Sequence, residues 1–328
     1  MGDKKERIWG VLLHLGTNMW SDVRVEDRVT EGFYKWGGED GWALYSDEIR
    51  FDEALWRDAT GRMAAKGLNT VVIDLGEALA YPSHPELAVK GTWSVAKMKE
   101  ELKRLRGMGL TPVPKLNFST GHDPWLKEYE RMVSAPDYYR VCADLIRDVV
   151  EIFDGPALLH LGYDEEDYWH QHTYSYVVVR QSELWWHDFD FFRKTVEKNG
   201  SRPWIWSDYV WRHRDEFLKR MPKSVLQSNW YYASTDESTF PKEKSENDFR
   251  RTMMRANEVL EQGGFDQVPA GMANDNFAGF FEYSRKVIPP ERFKGMMNTV
   301  WCFTQPHRRD KIFKAIDQVA EAKTRFGS

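Results

Sequence analysis

Short apolar runs alternate with amphipathic segments along nearly the whole chain of 328 residues. The runs are rich in Val, Ile, Leu and Trp and are bounded by polar or glycine-containing stretches, as is typical of strands buried on both faces. This alternation predicts eight strands, at residues 8–15, 70–75, 110–116, 157–163, 203–208, 225–230, 267–272 and 294–301.

The segments between these runs have apolar residues at helical spacing. In one of them Val141, Leu145 and Val149 recur four residues apart. Gly109 and Gly200 follow two of the predicted helix ends, where C-cap glycines are common. The predicted helices cover residues 53–66, 94–108, 137–153, 182–198, 212–220, 249–262, 277–287 and 308–322.

Eight strand–helix units predict a (β/α)₈ barrel of the α/β class, formed as a single domain by residues 1–328. A doubly wound parallel sheet is the rival architecture. The barrel is favoured because the count reaches eight and no glycine-rich phosphate loop follows the first strand. Three long connections, 16–51, 118–136 and 164–180, each follow a predicted strand. They therefore belong at the C-terminal face of the barrel, where active sites lie.

Net charge and hydropathy indicate which classes of binding partner and which compartments suit the chain. The formal net charge is −5 without a basic block, which argues against nucleic acid or an anionic membrane surface. No apolar run approaches the ~20 residues that span a bilayer, so we expect a soluble protein. Residues 1–7 are polar and lack a signal-peptide core. A cytoplasmic protein and an exported one whose signal has been removed both stay open.

Motif searches exclude several cofactors. The two cysteines, Cys142 and Cys302, have no metal-ligand spacing, and the histidines of 170–172 lack a His-Glu-x-x-His partner motif. No Walker A loop or Gly-x-Ser-x-Gly elbow occurs. We therefore expect neither a metal nor a cofactor.

The aromatic content of the chain is high, with 15 Trp, 14 Tyr and 18 Phe. These residues suit either flat sugar-binding surfaces or ordinary core packing.

Polar residues gather near the carboxyl ends of several predicted strands. Side chains alternate along a strand, so Leu159 and Leu161 face the helices while His160 and Asp164 point into the barrel mouth. The same alternation places further residues at strand ends: Asp74, Lys115, Asn117, Trp206 and Asp208. A single polar residue marks only the end of a strand, but a ring of them favours a site.

The densest group of ionisable residues is the acidic run of residues 164–167 after the fourth predicted strand. Crowded carboxylates raise one another's pKa, as a general acid at neutral pH requires. Most acidic runs are solvated loops. This one begins directly at the end of an apolar strand, which favours a functional pair at the barrel mouth.

The segment His160-Leu161-Gly162-Tyr163-Asp164-Glu165 resembles the His-x-Gly-Gly-Asp-Glu motif of β-N-acetylhexosaminidases, glycoside hydrolase family 20. In that family the motif ends the fourth strand of a (β/α)₈ barrel, as it does in the prediction here. Tyr163 replaces the second motif glycine, and the arginine that the family places at the first strand is not found. Gly121-His122-Asp123 is faintly similar to the family's Pro-Gly-His.

The resemblance implies a retaining hydrolase of carbohydrates in which the substrate's own 2-acetamido oxygen attacks the anomeric carbon. Glu165 would be the general acid and then the base, and Asp164 would orient the acetamido group. Tryptophans near the ends of strands five, six and eight would wall the sugar pocket, with Tyr231 or Tyr232 at the acetamide oxygen. The predicted substrate-binding residues are His160, Trp206, Asp208, Trp230, Tyr231, Trp301, Asn117, Asp74 and Asp275.

Two alternatives stay open at the level of the sequence. Many retaining glycosidases carry a carboxylate nucleophile after strand seven, and Asp275 stands there. In that case the carboxyl groups of Asp275 and Glu165 would lie ~5–5.5 Å apart. The other alternative is a carbohydrate-binding barrel without catalysis, against which the intact Asp164–Glu165 pair argues.

Overall fold

A computed structural model describes residues 6–24, 41, 43–172 and 174–327. All eight predicted strands are present. They are β1 Ile8–His14, β2 Thr70–Asp74, β3 Thr111–Lys115, β4 Leu158–His160, β5 Arg202–Trp206, β6 Leu226–Ser228, β7 Ala270–Met272 and β8 Gly295–Thr299. Part of the long connection 16–51 lies outside the described residues.

The helices fill the connections between these strands. They are α1 Glu53–Ala65, α2 Val95–Gly107, α3 Pro136–Ile152, α4 Tyr168–Gln171, α5 Ser182–Lys198, α6 Tyr209–Arg212, α7 Arg214–Arg220, α8 Lys244–Gln262, α9 Phe277–Val287 and α10 Arg309–Gly327. Side-chain caps begin four of them, α1, α2, α4 and α8; in the first two, Asp52 accepts a hydrogen bond from Leu55 N and Ser94 accepts one from Lys97 N. The predicted helix 212–220 is two short helices, and α4 was not predicted.

The sheet closes into a barrel. Seven parallel pairings give the strand order β6-β5-β4-β3-β2-β1-β8-β7. The remaining seam, between the segments of β6 and β7, is joined by hydrogen bonds from Val268 N to Gln227 O and from Ala270 N to Asn229 O, both 2.9 Å long. The predicted (β/α)₈ barrel is therefore confirmed, and the doubly wound sheet is excluded.

Alternating side chains divide the core into two layers. The larger layer packs the outward faces of the strands against the helices. The smaller fills the barrel interior, with Leu12, Val72, Val113, Trp204, Trp206, Leu226, Val268, Ala270 and Met297. Among these apolar residues Lys115 is fully buried and its Nζ lies 2.6 Å from Asp74 Oδ2. No helix in the described ranges is long and apolar enough to cross a membrane.

Candidate active site

The acidic run begins at the carboxyl end of β4, at the C-terminal mouth of the barrel. The chain turns there through left-handed backbone, with φ of 69° at Gly162, 73° at Tyr163 and 57° at Glu165. This turn brings Asp164 and Glu165 to the wall of a cavity of about 660 Å³. Non-glycine residues with positive φ are uncommon and concentrate at functional sites.

Tyr163, the residue that departs from the family motif, lies outside the cavity. Its ring packs edge-on against Trp185 and Phe189 of α5, at centroid distances of 5.2 and 5.5 Å. The guanidinium of Arg180 lies 4.7 Å from the ring centroid. The larger side chain is therefore accommodated in the helix layer and leaves the space beside Asp164 open.

Glu166, the third acid of the run, is structural. Its carboxylate pairs with the buried Arg180, which also contacts Asp188 at 3.1 Å and donates to Phe118 O at 2.7 Å. Thr120 N donates to Glu166 Oε1 at 3.1 Å. These contacts join the loops after β3 and β4 to α5 and so hold the backbone of the acidic run.

Three further side chains contact the acidic pair from the neighbouring strand ends and loops. Ser119 Oγ donates to the backbone carbonyl of Asp164, and Asp208 Oδ2 accepts a 2.9 Å hydrogen bond from Glu165 N. Asn117 Nδ2 lies 3.5 Å from Asp164 Oδ1. Asn117 and Asp208 were predicted as substrate-binding residues, and the structure places them in contact with the acidic pair beneath the cavity surface.

Two histidines flank Glu165. His122, in the loop after β3, has Nε2 3.0 Å from Glu165 Oε2 and 3.4 Å from Asp164 Oδ2. His170, in α4, has Nε2 3.1 Å from Glu165 Oε1 and Nδ1 2.9 Å from Asp167 Oδ1. Each oxygen of the Glu165 carboxylate therefore faces one imidazole.

The pKa values of this cluster follow from burial and from these pairings. Burial raises the pKa of Glu165, but the hydrogen bonds from His122 and His170 outweigh it and hold that pKa well below its ordinary value. Burial lowers the pKa of His170, but its bonds to Asp167 and Glu165 raise it to about 10. Burial, with the charge of Glu165, raises the pKa of Asp164. Burial and the charge of Asp164 raise the pKa of Asp208 to about 8.

Aromatic rings form much of the remaining cavity wall. Trp230 stacks on Tyr232 at a centroid distance of 5.0 Å, and Trp301 Nε1 donates to the Tyr232 hydroxyl at 3.1 Å. Trp20 and Trp169 complete the aromatic part of the lining. Two of the three predicted pocket tryptophans, Trp230 and Trp301, thus lie in the same cavity as Glu165.

Three predicted site residues lie below the cavity and do not line it. Trp206 belongs to the barrel interior, with its ring 4.6 Å from His160 and 6.0 Å from Trp301. His160 is fully buried, and its Nδ1 accepts a hydrogen bond from Gly162 N at 3.0 Å. Asp74 pairs with Lys115. All three side chains face the barrel axis as predicted, but they lie in the barrel interior beneath the residues that line the cavity.

Two other predictions are wrong about position. Tyr231 points into the helix layer, where its ring contacts Phe280 and its hydroxyl donates to Ser234 O at 2.8 Å. Because neighbouring side chains of an extended segment point to opposite sides, the side chain of Tyr232 points into the barrel mouth. Asp275 is 95% exposed and pairs with Lys314 of α10 outside the cavity. The turn that precedes α9 carries the Asp275 side chain away from the barrel mouth.

Except for Lys311 of α10, the residues named here that the sequence analysis did not assign to the site come from the long loops. His122 was noted only in a faint motif, and His170 only as a weak metal ligand. Trp20, Trp169 and Lys311 carried no signal at all, because no strand periodicity applies to them. The useful signal was the length of the three connections, two of which supply both histidines.

One group of described residues has the donor arrangement of a metal site. His122, Asp164 and Glu165 each offer one ligand atom, and these atoms lie within 4.8 Å of one another. An imidazole with carboxylates suits zinc and similar ions. In this structure His122 Nε2 is hydrogen-bonded to Glu165 Oε2 and lies 3.4 Å from Asp164 Oδ2, as in a cluster that exchanges protons.

The barrel, the adjacent carboxylates Asp164 and Glu165 and the aromatic cavity define a (β/α)₈ protein with a cluster of ionisable groups at its mouth. Solved structures of glycoside hydrolase family 20 share this fold. With the exo-β-N-acetylglucosaminidase of Vibrio harveyi the TM-score is 0.61 at 15% identity, over 97% of this chain and 54% of that one. With the β-N-acetylhexosaminidase of Streptomyces coelicolor A3(2) it is 0.62 at 13% identity, over 96% and 64%.

A third β-N-acetylhexosaminidase gives a TM-score of 0.65 at 12% identity, over 97% of this chain and 72% of that one. The chain thus spans between half and two thirds of the length of the first two relatives. No family model matches the sequence, and no curated protein is similar to it in sequence. The resemblance drawn from the β4 motif is confirmed at the level of the fold, in a divergent chain.

Proposed function

We propose that the protein is a retaining glycoside hydrolase of the β-N-acetylhexosaminidase type, in which the substrate's acetamido group acts as the nucleophile. One observation carries the proposal: among the described residues that line the cavity, the only carboxylates are Asp164 and Glu165, adjacent in sequence. Asp275, which would supply a conventional nucleophile, is on the outside. A retaining reaction at this site then takes its nucleophile from the substrate.

Glu165 donates the proton to the glycosidic oxygen and later removes one from the attacking water. Its own pKa is low, so in the free cavity the proton is held by the neighbouring imidazoles of His122 and His170. Because these groups interact strongly, they titrate as one cluster and the transferable proton belongs to the cluster. The hydrogen bonds of 3.0 and 3.1 Å give that proton a direct path to the carboxylate.

Asp164 accepts a hydrogen bond from the acetamido N–H and stabilises the positive charge that forms on the cyclised intermediate. The Tyr232 hydroxyl accepts from Trp301 Nε1 and so can donate its own proton to the acetamido oxygen. Trp230 and Trp301 provide flat apolar surfaces for the methyl group and the sugar face.

A chromogenic panel tests the proposal. The expected result is turnover of 4-nitrophenyl N-acetyl-β-glucosaminide or β-galactosaminide, with little turnover of the matching glucoside, which lacks the acetamido nucleophile. Equal turnover of the glucoside would contradict the proposal. Binding of these sugars without turnover would favour a carbohydrate-binding barrel.

Two variants separate the roles of the carboxylates. Glu165→Gln removes general acid–base catalysis, worth roughly 10²–10⁴-fold, so loss should be greatest for substrates with poor leaving groups. Asp164→Asn should lower activity similarly for good and poor leaving groups and should weaken binding of a thiazoline analogue of the intermediate. Asp275→Asn is the matched control. A large loss in that variant would favour the conventional two-carboxylate reaction.

A further inference from the structure

Lys311, the third residue of α10, lies in a part of the cavity that the proposed chemistry does not use. It lines the wall beside Trp301, and its Nζ is 3.5 Å from the Trp301 carbonyl oxygen. No described carboxylate pairs with this ammonium. Lys314, one turn along the same helix, instead has Asp275 at 2.6 Å. Burial lowers the pKa of Lys311, because its charge is partly removed from water.

The charge balance of the cavity makes this lysine unusual. The two carboxylates of the described lining, Asp164 and Glu165, lie within 3.0–3.4 Å of the imidazoles of His122 and His170. These four groups are therefore partnered with one another. Among the described residues the ammonium of Lys311 therefore has no paired carboxylate, and it is partly withdrawn from water, so an anion bound beside it would be stabilising.

A second polar side chain next to Trp301, that of His14, also lacks hydrogen-bond partners. His14, at the end of β1, is fully buried behind Trp20 and Trp301, with ring centroids 5.2 and 5.6 Å away. Neither ring nitrogen has a hydrogen-bond partner among the described residues, and the nearest carboxylate oxygen, Asp74 Oδ2, lies 3.6 Å from Nδ1. Burial, with the charges of Lys115 and Lys311, lowers the pKa of His14, so the ring is neutral. Buried polar atoms of this kind call for a ligand or a water.

We propose that Lys311, supported by His14 behind it, forms an anion-recognising corner, and that the preferred substrate carries a sulfate or phosphate ester on its N-acetylated sugar. The inference rests on the proposed function, because it assigns a substrate class to the same cavity. An ammonium presents a point charge, which suits the oxygens of either ester. An oxyanion at this position would offset the positive charge of Lys311.

The test compares kcat/KM for 4-nitrophenyl N-acetyl-β-glucosaminide with that of its 3-, 4- and 6-sulfates and the corresponding phosphates. The wild-type protein should prefer one of the esters, and the preference should weaken as salt is added. Sulfate and phosphate arms identify which ester is bound. In Lys311→Met the ratio of ester to neutral substrate should fall about 10- to 100-fold, the range of a hydrogen bond to a charged group. Lys311→Arg, which keeps the charge, should retain much of the preference.

Lys314→Met is the matched control, because it removes an equal charge from the outer face of α10. Its ester preference should equal that of the wild type. An unchanged ratio in Lys311→Met, or no ester preference in the wild type, would overturn the inference even if the neutral substrate is turned over.

The anion-recognising corner can also be tested if the proposed hydrolytic function fails. If no substrate is hydrolysed, calorimetric titration with free N-acetylglucosamine and its sulfates and phosphates decides the inference separately. Tighter binding of an ester that is lost in Lys311→Met supports the anion-recognising corner, and equal affinity for the esters and the neutral sugar contradicts it.

Discussion

Glu165 lies between two imidazoles, and this environment decides how it could act as the acid of the proposed reaction. A lone carboxyl in an apolar pocket keeps its proton because burial raises its pKa. Here hydrogen bonds from His122 and His170 reverse that effect. The proton of this site is shared between Glu165 and its two histidines and is not held by the carboxyl group alone. The pH dependence of the site therefore belongs to the whole cluster.

Replacing His170 with Gln should reveal its charge through the pH dependence of stability. The pKa of His170 is raised from 6.5 to about 10 in the folded protein. Its stabilising contribution is therefore complete below about pH 6.5 and is lost as the pH rises through about 10. The difference in the free energy of unfolding between wild type and His170→Gln, measured with urea, should be largest near pH 6 and vanish above pH 10. A difference independent of pH would show that the ring is neutral.

At the scale of the elements, the turn after β4 determines where the acids point. A Cβ at Gly162 would lie 2.2 Å from Asn117 Oδ1, and the φ of 69° is left-handed. A Cβ at Gly121, in the facing loop, would lie 2.5 Å from the Glu165 carbonyl oxygen. Both close approaches depend on glycine, so the loops after β3 and β4 can pack only with residues of this size.

We expect Gly162→Ala to destabilise the protein by about 2–5 kcal/mol. About 1–2 kcal/mol comes from a left-handed alanine and about 1–3 kcal/mol from the overlap with Asn117. Gly155→Ala is the control, since Gly155 has a similar φ of 66° but open space around its Cα. Urea unfolding measures both. Equal losses in the two variants would mean that Asn117 moves aside without strain.

At the scale of the whole molecule, barrel closure assembles one cavity from distant parts of the chain. Asp164 follows β4, Trp230 follows β6 and Trp301 follows β8, while Lys311 belongs to α10. A ligand that contacts all of them binds only the closed barrel. It should therefore stabilise the entire domain, not one segment of it.

Thermal unfolding with the thiazoline analogue tests this coupling. The protein should unfold in one transition, and ligand at 100 times its Kd should add about 2.7 kcal/mol of stability by mass action. The expected rise in Tm is absent or much smaller in Asp164→Asn. Two separate transitions, only one of them shifted by ligand, would show that the barrel does not unfold as a unit.

Local periodicity was enough to predict the fold, because strand and helix patterns depend on neighbouring residues. The helices 182–198 and 277–287 have the predicted bounds, and each strand lies within or beside its predicted run. The Asp164–Glu165 pair was predicted because it follows a strand end directly. α4 was missed because its four residues lie in a loop without periodicity.

The sequence by itself determined which face of each strand a residue occupies, and only the tertiary structure decided its depth. Alternation directed Trp206 and His160 to the barrel axis and the family resemblance placed Trp230 at the pocket, yet of the three only Trp230 reaches the cavity. Depth depends on how far each strand extends toward the mouth, which its pairing with neighbouring strands sets. The loops are decided in the same way: His122 and His170 meet at Glu165 because the buried Arg180 network holds their segments together. Contacts between residues so distant in sequence leave no pattern in the sequence itself.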